Sequence, residues 1–454
     1  MNRSRRLLAA LTLAALVAAG CSSGDDTTDV ADADLDAPTS APDSTDTEPP
    51  DETDPTVTTA TTEPVEPTAS FTGVTEEVIR VGVVGIDFDR LAEAGVDFNS
   101  GDAVAVYTAA LEAINARGGI LGRRLELTAE RYLPIGGIEA DEICARLTED
   151  LEVFIVVGAI RLDQVLCYTE LQNTAVISIT QQTQDRIDRS TAPYVTVRGR
   201  TDTRSIEWVD AMVDAGVFEG EVVGVLGAID ADEELYHETV AALRAAGVDP
   251  IDGLVASNDG DVNANAADTQ IILEKFRTEG VTVTVHASPV AVGLSTASSI
   301  GYETTWLQNP AIGASTLASE GVDLSYVDGM LTLMPTAMGT VDQPAMEDDP
   351  AVAECVATVE ANSDLTVDFA LGADAGILGH TINACGIATI LELALTAAGV
   401  ELTNDSLAEA LASLGEFEMA GFPSAALGLG DTDAAGAGRL AALSAADEAY
   451  VFVE

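Results

Sequence analysis

The stretch EVIRVGVVGI (77–86), followed after a polar interval by a helical segment from Ala103 to Arg117, decides the fold class. The first run is rich in β-branched residues, as a strand inside a sheet requires. In the second, Val104, Tyr107, Leu111 and Ile114 recur at three- and four-residue spacing and give one apolar face, and Gly118 with Gly119 supplies a left-handed stop. A strand followed by a crossover helix predicts parallel pairing. The pattern continues with strands expected at 124–130, 153–158 and 175–179 and helices near 139–149 and 162–171. PYVTVRG (193–199) then connects to a second series, with strands at 221–227, 251–256, 281–286, 303–308 and 329–335 and helices at 203–215, 233–246, 264–279 and near 290–299. Helices near 350–361, 377–398 and 404–413 are expected to return to the first lobe. The fold class is therefore α/β, with two doubly wound parallel-sheet lobes.

The ends of the chain read differently. Arg3, Arg5 and Arg6 precede an apolar run from Leu7 to Ala19, then Gly20 and Cys21. A 13-residue run spans only about 20 Å as a helix, too short for a bilayer core, so residues 1–20 are expected to be a signal peptide. LVAAGC resembles a bacterial lipoprotein cleavage box, which implies lipid on Cys21. Residues 22–70 hold 14 acidic residues, 12 Thr and 7 Pro with no basic residue, so 21–70 is expected to be a disordered acidic tether. The folded part divides into 71–198 (lobe one), 199–335 (lobe two) and 336–454 (return to lobe one).

The chain of 454 residues carries a formal charge of −56, and residues 71–454 keep 62 acidic against 17 basic side chains. Such a surface repels a phosphate backbone, so no nucleic-acid partner is expected. A hydrophobic content of 47% and a mean hydropathy of +0.21 exclude general disorder.

INARGGILGRRLEL (114–127) resembles the glycine pattern of type I periplasmic binding proteins, the leucine/isoleucine/valine-binding (branched-chain amino acid) branch of ABC-transporter substrate-binding lipoproteins. VFIVVGAI (153–160) and ALTAAGVELTNDSLAEAL (394–411) are similar to that family's first ligand-loop strand and its late helix-turn-helix. The resemblance implies two lobes joined by a hinge of three crossings, the final hinge crossing lying within 336–454, and a small polar solute held between the lobes. Ligands of such folds gather at loops after the C-terminal strand ends, where helix N-termini present N–H groups. In lobe one this points to Phe98 as a stacking wall, Ala159 and Arg161 after one strand, and Thr180, Gln181 and Thr183 after the next. In lobe two it points to Asp230, Asp232, His286 and Gln308. Relatives hold a carboxylate with lobe-one hydroxyls and amides and an ammonium with a lobe-two acid. Here Arg161 with Thr180 is expected to meet the carboxylate, and Asp230 or Asp232 the amine. A neutral amide or urea-like solute held by Gln181, Thr183 and Gln308 is the alternative.

Cys144, Cys167, Cys355 and Cys385 remain after Cys21, an even set in an exported chain that allows three pairings. Locality favours Cys144–Cys167 and Cys355–Cys385, because a bridge between lobes would oppose hinge motion. The resemblance implies the first pair as well. His237, His286 and His380 have no metal spacing. DGDVNAN (259–265) has calcium-like alternation but lacks the turn glycine and the bidentate Glu, since Ala264 and Gln270 stand there. With no nucleophile elbow or phosphate loop in the sequence, neither enzyme activity nor a cofactor is expected. The implied function is an extracytoplasmic, lipid-anchored receptor for an amino acid or similar small polar solute, delivering it to ABC permease subunits in the membrane. A ligand-sensing ectodomain of the same fold, reporting to a signalling partner, is the alternative.

Overall fold

Val78–Ile86 forms strand β1, mostly buried because a strand and a helix layer flank it on every side. The structure, a computed structural model, describes residues 66–93, 101–134, 137–161, 163–180, 182–258, 261–371 and 375–453, without the side chains at 230, 231 and 375. The signal peptide, Cys21, most of the tether, Phe98 and Gln181 lie outside the described residues, as does the Asp230 side chain.

After β1 come α1 (Phe88–Glu93), α2 (Ala103–Ala116), β2 (Arg124–Tyr132), α3 (Ile138–Ala145) with a π-helical extension to Asp150, and β3 (Ile155–Gly158). Then follow α4 (Gln164–Leu166), extended likewise to Leu171, β4 (Ala175–Ser178), α5 (Gln184–Arg189) and β5 (Tyr194–Thr196). The five strands are parallel in the order β2-β1-β3-β4-β5. The order reverses between β1 and β3, which opens a crevice at their C-terminal ends.

The second lobe repeats the plan with α6 (Thr201–Asp214), β6 (Val223–Ala228), α7 (Ile229–Ala245), β7 (Ile251–Val255), α8 (Val262–Glu279), β8 (Val283–Ala287), α9 (Val292–Ile300), β9 (Thr305–Asn309), α10 (Ala314–Ser319) and β10 (Leu331–Met334). The helices α11 (Pro350–Ala361), α12 (Ala375–Ala398) and α13 (Asn404–Leu411) follow. Val359, Ile387, Ile390, Leu391, Leu395 and Leu407 from them fill the lobe-one core beside α2. Although α12 is long and apolar enough to cross a bilayer, these side chains commit it to that core.

The chain does not stay on lobe one to its end. After the short pair β11 (Gly415–Glu416) and β12 (Ala426–Leu427), strands β13 (Arg439–Ser444) and β14 (Ala449–Phe452) join the second sheet antiparallel beside β10. That sheet runs β14-β13-β10-β9-β8-β6-β7, with its own reversal between β6 and β8. The first and third crossings between lobes are bonded together. Thr196 N–H donates to Thr432 O at 2.8 Å, Ala435 N–H to Val197 O at 3.1 Å, and Arg200 N–H to Asp433 Oδ2 at 3.1 Å.

The glycine-rich run does the structural work expected of it. Asp102 caps α2 by accepting from Ala105 N–H at 3.1 Å, and Gly119, at φ 74°, ends it where a Cβ would lie 2.0 Å from Arg123 O. Asn115 ties this helix to β2 by donating to Leu125 O at 3.0 Å and accepting from Leu125 N–H at 2.7 Å. Arg123 is fully buried and donates to the carbonyls of Thr68, Thr75 and Val400 at 2.6 to 2.8 Å. Both local disulfides form, Cys144–Cys167 joining α3 to the α4 extension and Cys355–Cys385 joining α11 to α12.

Candidate functional site

The loops after the strands carry the residues singled out in the sequence, and the structure uses them unequally. Ala159 accepts from the Tyr132 hydroxyl at 3.1 Å through its carbonyl, which fixes the turn after β3. Arg161 is exposed just beyond it. Thr180, half-buried, donates its N–H to Ser178 Oγ at 3.0 Å. Thr183 is buried and caps α5, accepting from Arg186 N–H at 3.5 Å.

Across the cleft, Asp232 breaks the helical path of α7 and caps its continuation, accepting from Leu235 N–H at 3.0 Å. Burial raises its pKa, opposed by that hydrogen bond and by the charges of Arg186 and Arg161. Arg161 and Asp232, expected to clamp opposite ends of a zwitterion, thus come within electrostatic reach of each other from opposite lobes. Beside them Arg186 of lobe one bridges Asp163 at 3.0 Å and Glu234 of lobe two at 3.2 Å.

His286 and Gln308 are placed otherwise than the sequence reading supposed. Both are buried inside lobe two, and His286 Nδ1 lies 2.8 Å from Gln308 Oε1. Gln308 Nε2 donates to Ser288 O at 2.9 Å and to Pro310 O at 2.8 Å. Desolvation pushes the His286 pKa down to about 4, against the Gln308 hydrogen bond. Gln308, engaged at both ends of its amide, braces the loops after β8 and β9 and has little bonding capacity left for a solute, while His286 is buried beside it.

A cavity of about 510 Å³ lies where residues of both lobes and the crossings meet, within the size range of small-molecule sites. Ala314, Thr316 and Met334 line it from lobe two, Gly376, Ile382 and Asn383 from lobe one, and Arg198, Pro335 and Thr336 from the crossings. None of the described candidates from the sequence lines it. Arg198 is exposed, yet enough protein surrounds its guanidinium that desolvation lowers its pKa, opposed by Tyr107. A side chain in an open cleft has both properties.

Near Arg198 the C-terminal end of β1 and the start of α12 meet. Tyr107 and His380 pack edge to face with ring centres 6.2 Å apart, and Phe88 lies 6.0 Å from His380. Desolvation first, then the Arg198 charge, pushes the His380 pKa down to about 4, partly offset by Asp102. Sequence reasoning passed over Arg198 because it sits in a segment read as a connector. The available signal was a charged residue in PYVTVRG, in a chain short of basic residues. Among the described residues no cluster of His, Cys, Asp and Glu is arranged to hold a metal ion.

No protein-family model and no curated protein matches the sequence. Solved structures do match the fold. A possible leucine/isoleucine/valine-binding protein from Rhodopirellula baltica SH 1 superposes with a TM-score of 0.60 at 18% identity, covering 83% of this chain and 96% of that one. An ABC-transporter solute-binding protein from R. palustris in complex with 4-hydroxybenzoate gives 0.61 at 12% identity, with the same coverages of 83% and 96%. A fatty acid ABC transporter substrate-binding protein from Thermomonospora curvata gives 0.58 at 17% identity, covering 85% and 93%. The chain has the fold of the type I periplasmic binding proteins, as the glycine-rich run after α2 implied.

Proposed function

We propose that the chain is an extracytoplasmic binding protein that captures a small organic solute between its lobes and presents it to an ABC permease. The observation that carries this reading is the cavity lined by both lobes and by the crossings that join them. A solute there contacts two bodies at once, so binding energy and lobe position become coupled, and a permease can read occupancy as shape. Proteins of the same fold named for ABC transport support the role at the level of fold. Two disulfides suit an oxidising, exported setting.

The loop set Ala159, Arg161, Thr180, Thr183 and Asp232 belongs to the same proposal as the rim over which the lobes approach. Lipid on Cys21 would hold the receptor at the membrane through its acidic tether, and mass spectrometry of the membrane fraction is expected to show a diacylated N-terminal peptide beginning at that residue. The function itself is tested by thermal denaturation across amino acids, aromatic acids, fatty acids, amides and urea. A solute that binds only the folded state raises the midpoint, by about 2.7 kcal/mol of added stability at a hundredfold excess over Kd. A midpoint unmoved by every compound would contradict solute capture.

A further inference from the structure

We infer that Arg198 is the seat of a carboxylate in the interlobe cleft, with the Tyr107 hydroxyl as a second donor and the apolar cavity beside it receiving the rest of an organic acid. The inference rests on the solute-capture reading and names the ligand class for it. Its first support is charge. In this acidic protein most described arginines pair with carboxylates: Arg200 in the same crossing reaches Asp202 at 2.7 Å, and Arg204 on α6 reaches Glu207 at 2.7 Å. Arg198 has no such partner among the described residues, although protein surrounds it closely enough to desolvate it. An exposed guanidinium that lines the cavity without a carboxylate beside it is free to meet an anion there, and a carboxylate matches its planar fork with two parallel hydrogen bonds.

The second support is independent. Tyr107 is fully buried, and its hydroxyl has no hydrogen-bond partner among the described residues. Buried polar atoms without partners are rare and ask for an explanation. This hydroxyl feels the Arg198 charge, and burial raises its pKa far above neutrality, so it stays a donor. Its ring is held by the edge-to-face contact with His380. Two donors with capacity left, one of them positively charged, select a carboxylate over an amide.

The body of the ligand follows from the walls. Met334, Met338, Ile382 and Phe422 give the cavity apolar walls beside neutral polar side chains such as Gln343 and Asn383, whereas its acidic residues, Asp447 and Glu448, are exposed. Such a pocket desolvates a ring or a short alkyl chain well and offers an ammonium group little. The class is therefore an apolar monocarboxylate, aromatic or aliphatic.

Calorimetric titration of the full chain tests this with benzoate, 4-hydroxybenzoate, hexanoate and octanoate, each beside its neutral amide. At least one acid is expected to bind, with its amide at least about 10-fold weaker and Arg198→Gln weakening the acid by roughly 10- to 150-fold. Tyr107→Phe is expected to cost the acid about 3- to 10-fold while leaving the unliganded melting midpoint unchanged or higher, because it removes an unsatisfied group. An acid held equally tightly by the Arg198→Gln protein overturns the seat and moves the anion to Arg161. Amides binding as well as acids, or stabilisation only by neutral or cationic solutes, overturns the carboxylate class while leaving capture between lobes standing. Failure of every solute to bind removes both.

Discussion

Gly158 ends β3 at φ 123°, and a Cβ there would lie 2.1 Å from the carbonyl of Val84 on β1. Close approach of the two strands at the reversal of strand order leaves no room for a side chain. Gly158→Ala is expected to destabilise the fold on the order of 3 kcal/mol, read as a lower denaturant midpoint with unchanged slope. A loss well under 1 kcal/mol would refute that packing. Buried His286 makes a second prediction. Its folded pKa near 4 lies below the ordinary 6.5, so the unfolded chain takes up a proton that the native one resists. Stability present above pH 6.5 is lost as pH falls toward 4, by roughly 3 kcal/mol from this residue alone. Its ring resonances should titrate near pH 4 by NMR, and a midpoint at 6.5 would contradict the burial. These residues also mark where sequence reading succeeds and fails. The glycines at 118 and 119 were legible because backbone geometry demands them. The burial of His286 and Gln308 was not legible because a polar residue at a strand end looks the same whether it faces a cleft or a neighbouring strand. Only three-dimensional packing reveals that the Gln308 amide is taken up by His286, Ser288 and Pro310.

Among the elements, the parallel strands and their crossover helices were legible from periodicity, and the local disulfides from chain proximity. The closing hairpin of β13 and β14 was not. RLAALS (439–444) is made of good helix formers, and it becomes a strand because β10 offers a free edge and Tyr450 fills the lobe-two core, its hydroxyl donating to Ile312 O at 2.9 Å. Tertiary context here outweighs intrinsic propensity. Arg198 escaped notice for the related reason that a crossing has no periodicity to read. The bridges give a prediction at this scale. Cys144–Cys167 and Cys355–Cys385 close loops with sequence separations of 23 and 30, so replacing either pair by alanines is expected to cost about 3 to 4 kcal/mol in the chain-entropy account. Non-reducing peptide mapping checks the pairing first, and a peptide linking 144 or 167 to 355 or 385 would contradict it.

For the whole molecule, the relation between lobes matters most. Arg186 is nearly buried while its partner Glu234 keeps about a third of its side chain exposed, and their 3.2 Å contact joins α5 of one lobe to α7 of the other. Exposure and salt discount the pair to about 1 kcal/mol, enough to shift an open-to-closed ratio about fivefold. Glu234→Gln is therefore expected to enlarge the unliganded protein in small-angle scattering, with the difference shrinking at high salt. No change in radius of gyration would mean that the contact does not govern lobe position. The central claim, capture of a solute between two lobes, is tested most directly by hydrogen exchange followed by mass spectrometry, with and without the strongest solute from the thermal screen. Protection is predicted on both sides of the cavity together, at residues 376–383 of lobe one and 311–319 of lobe two, and at the crossings 197–200 and 334–339. Protection confined to one lobe, with the other exchanging as in the free protein, would contradict the account.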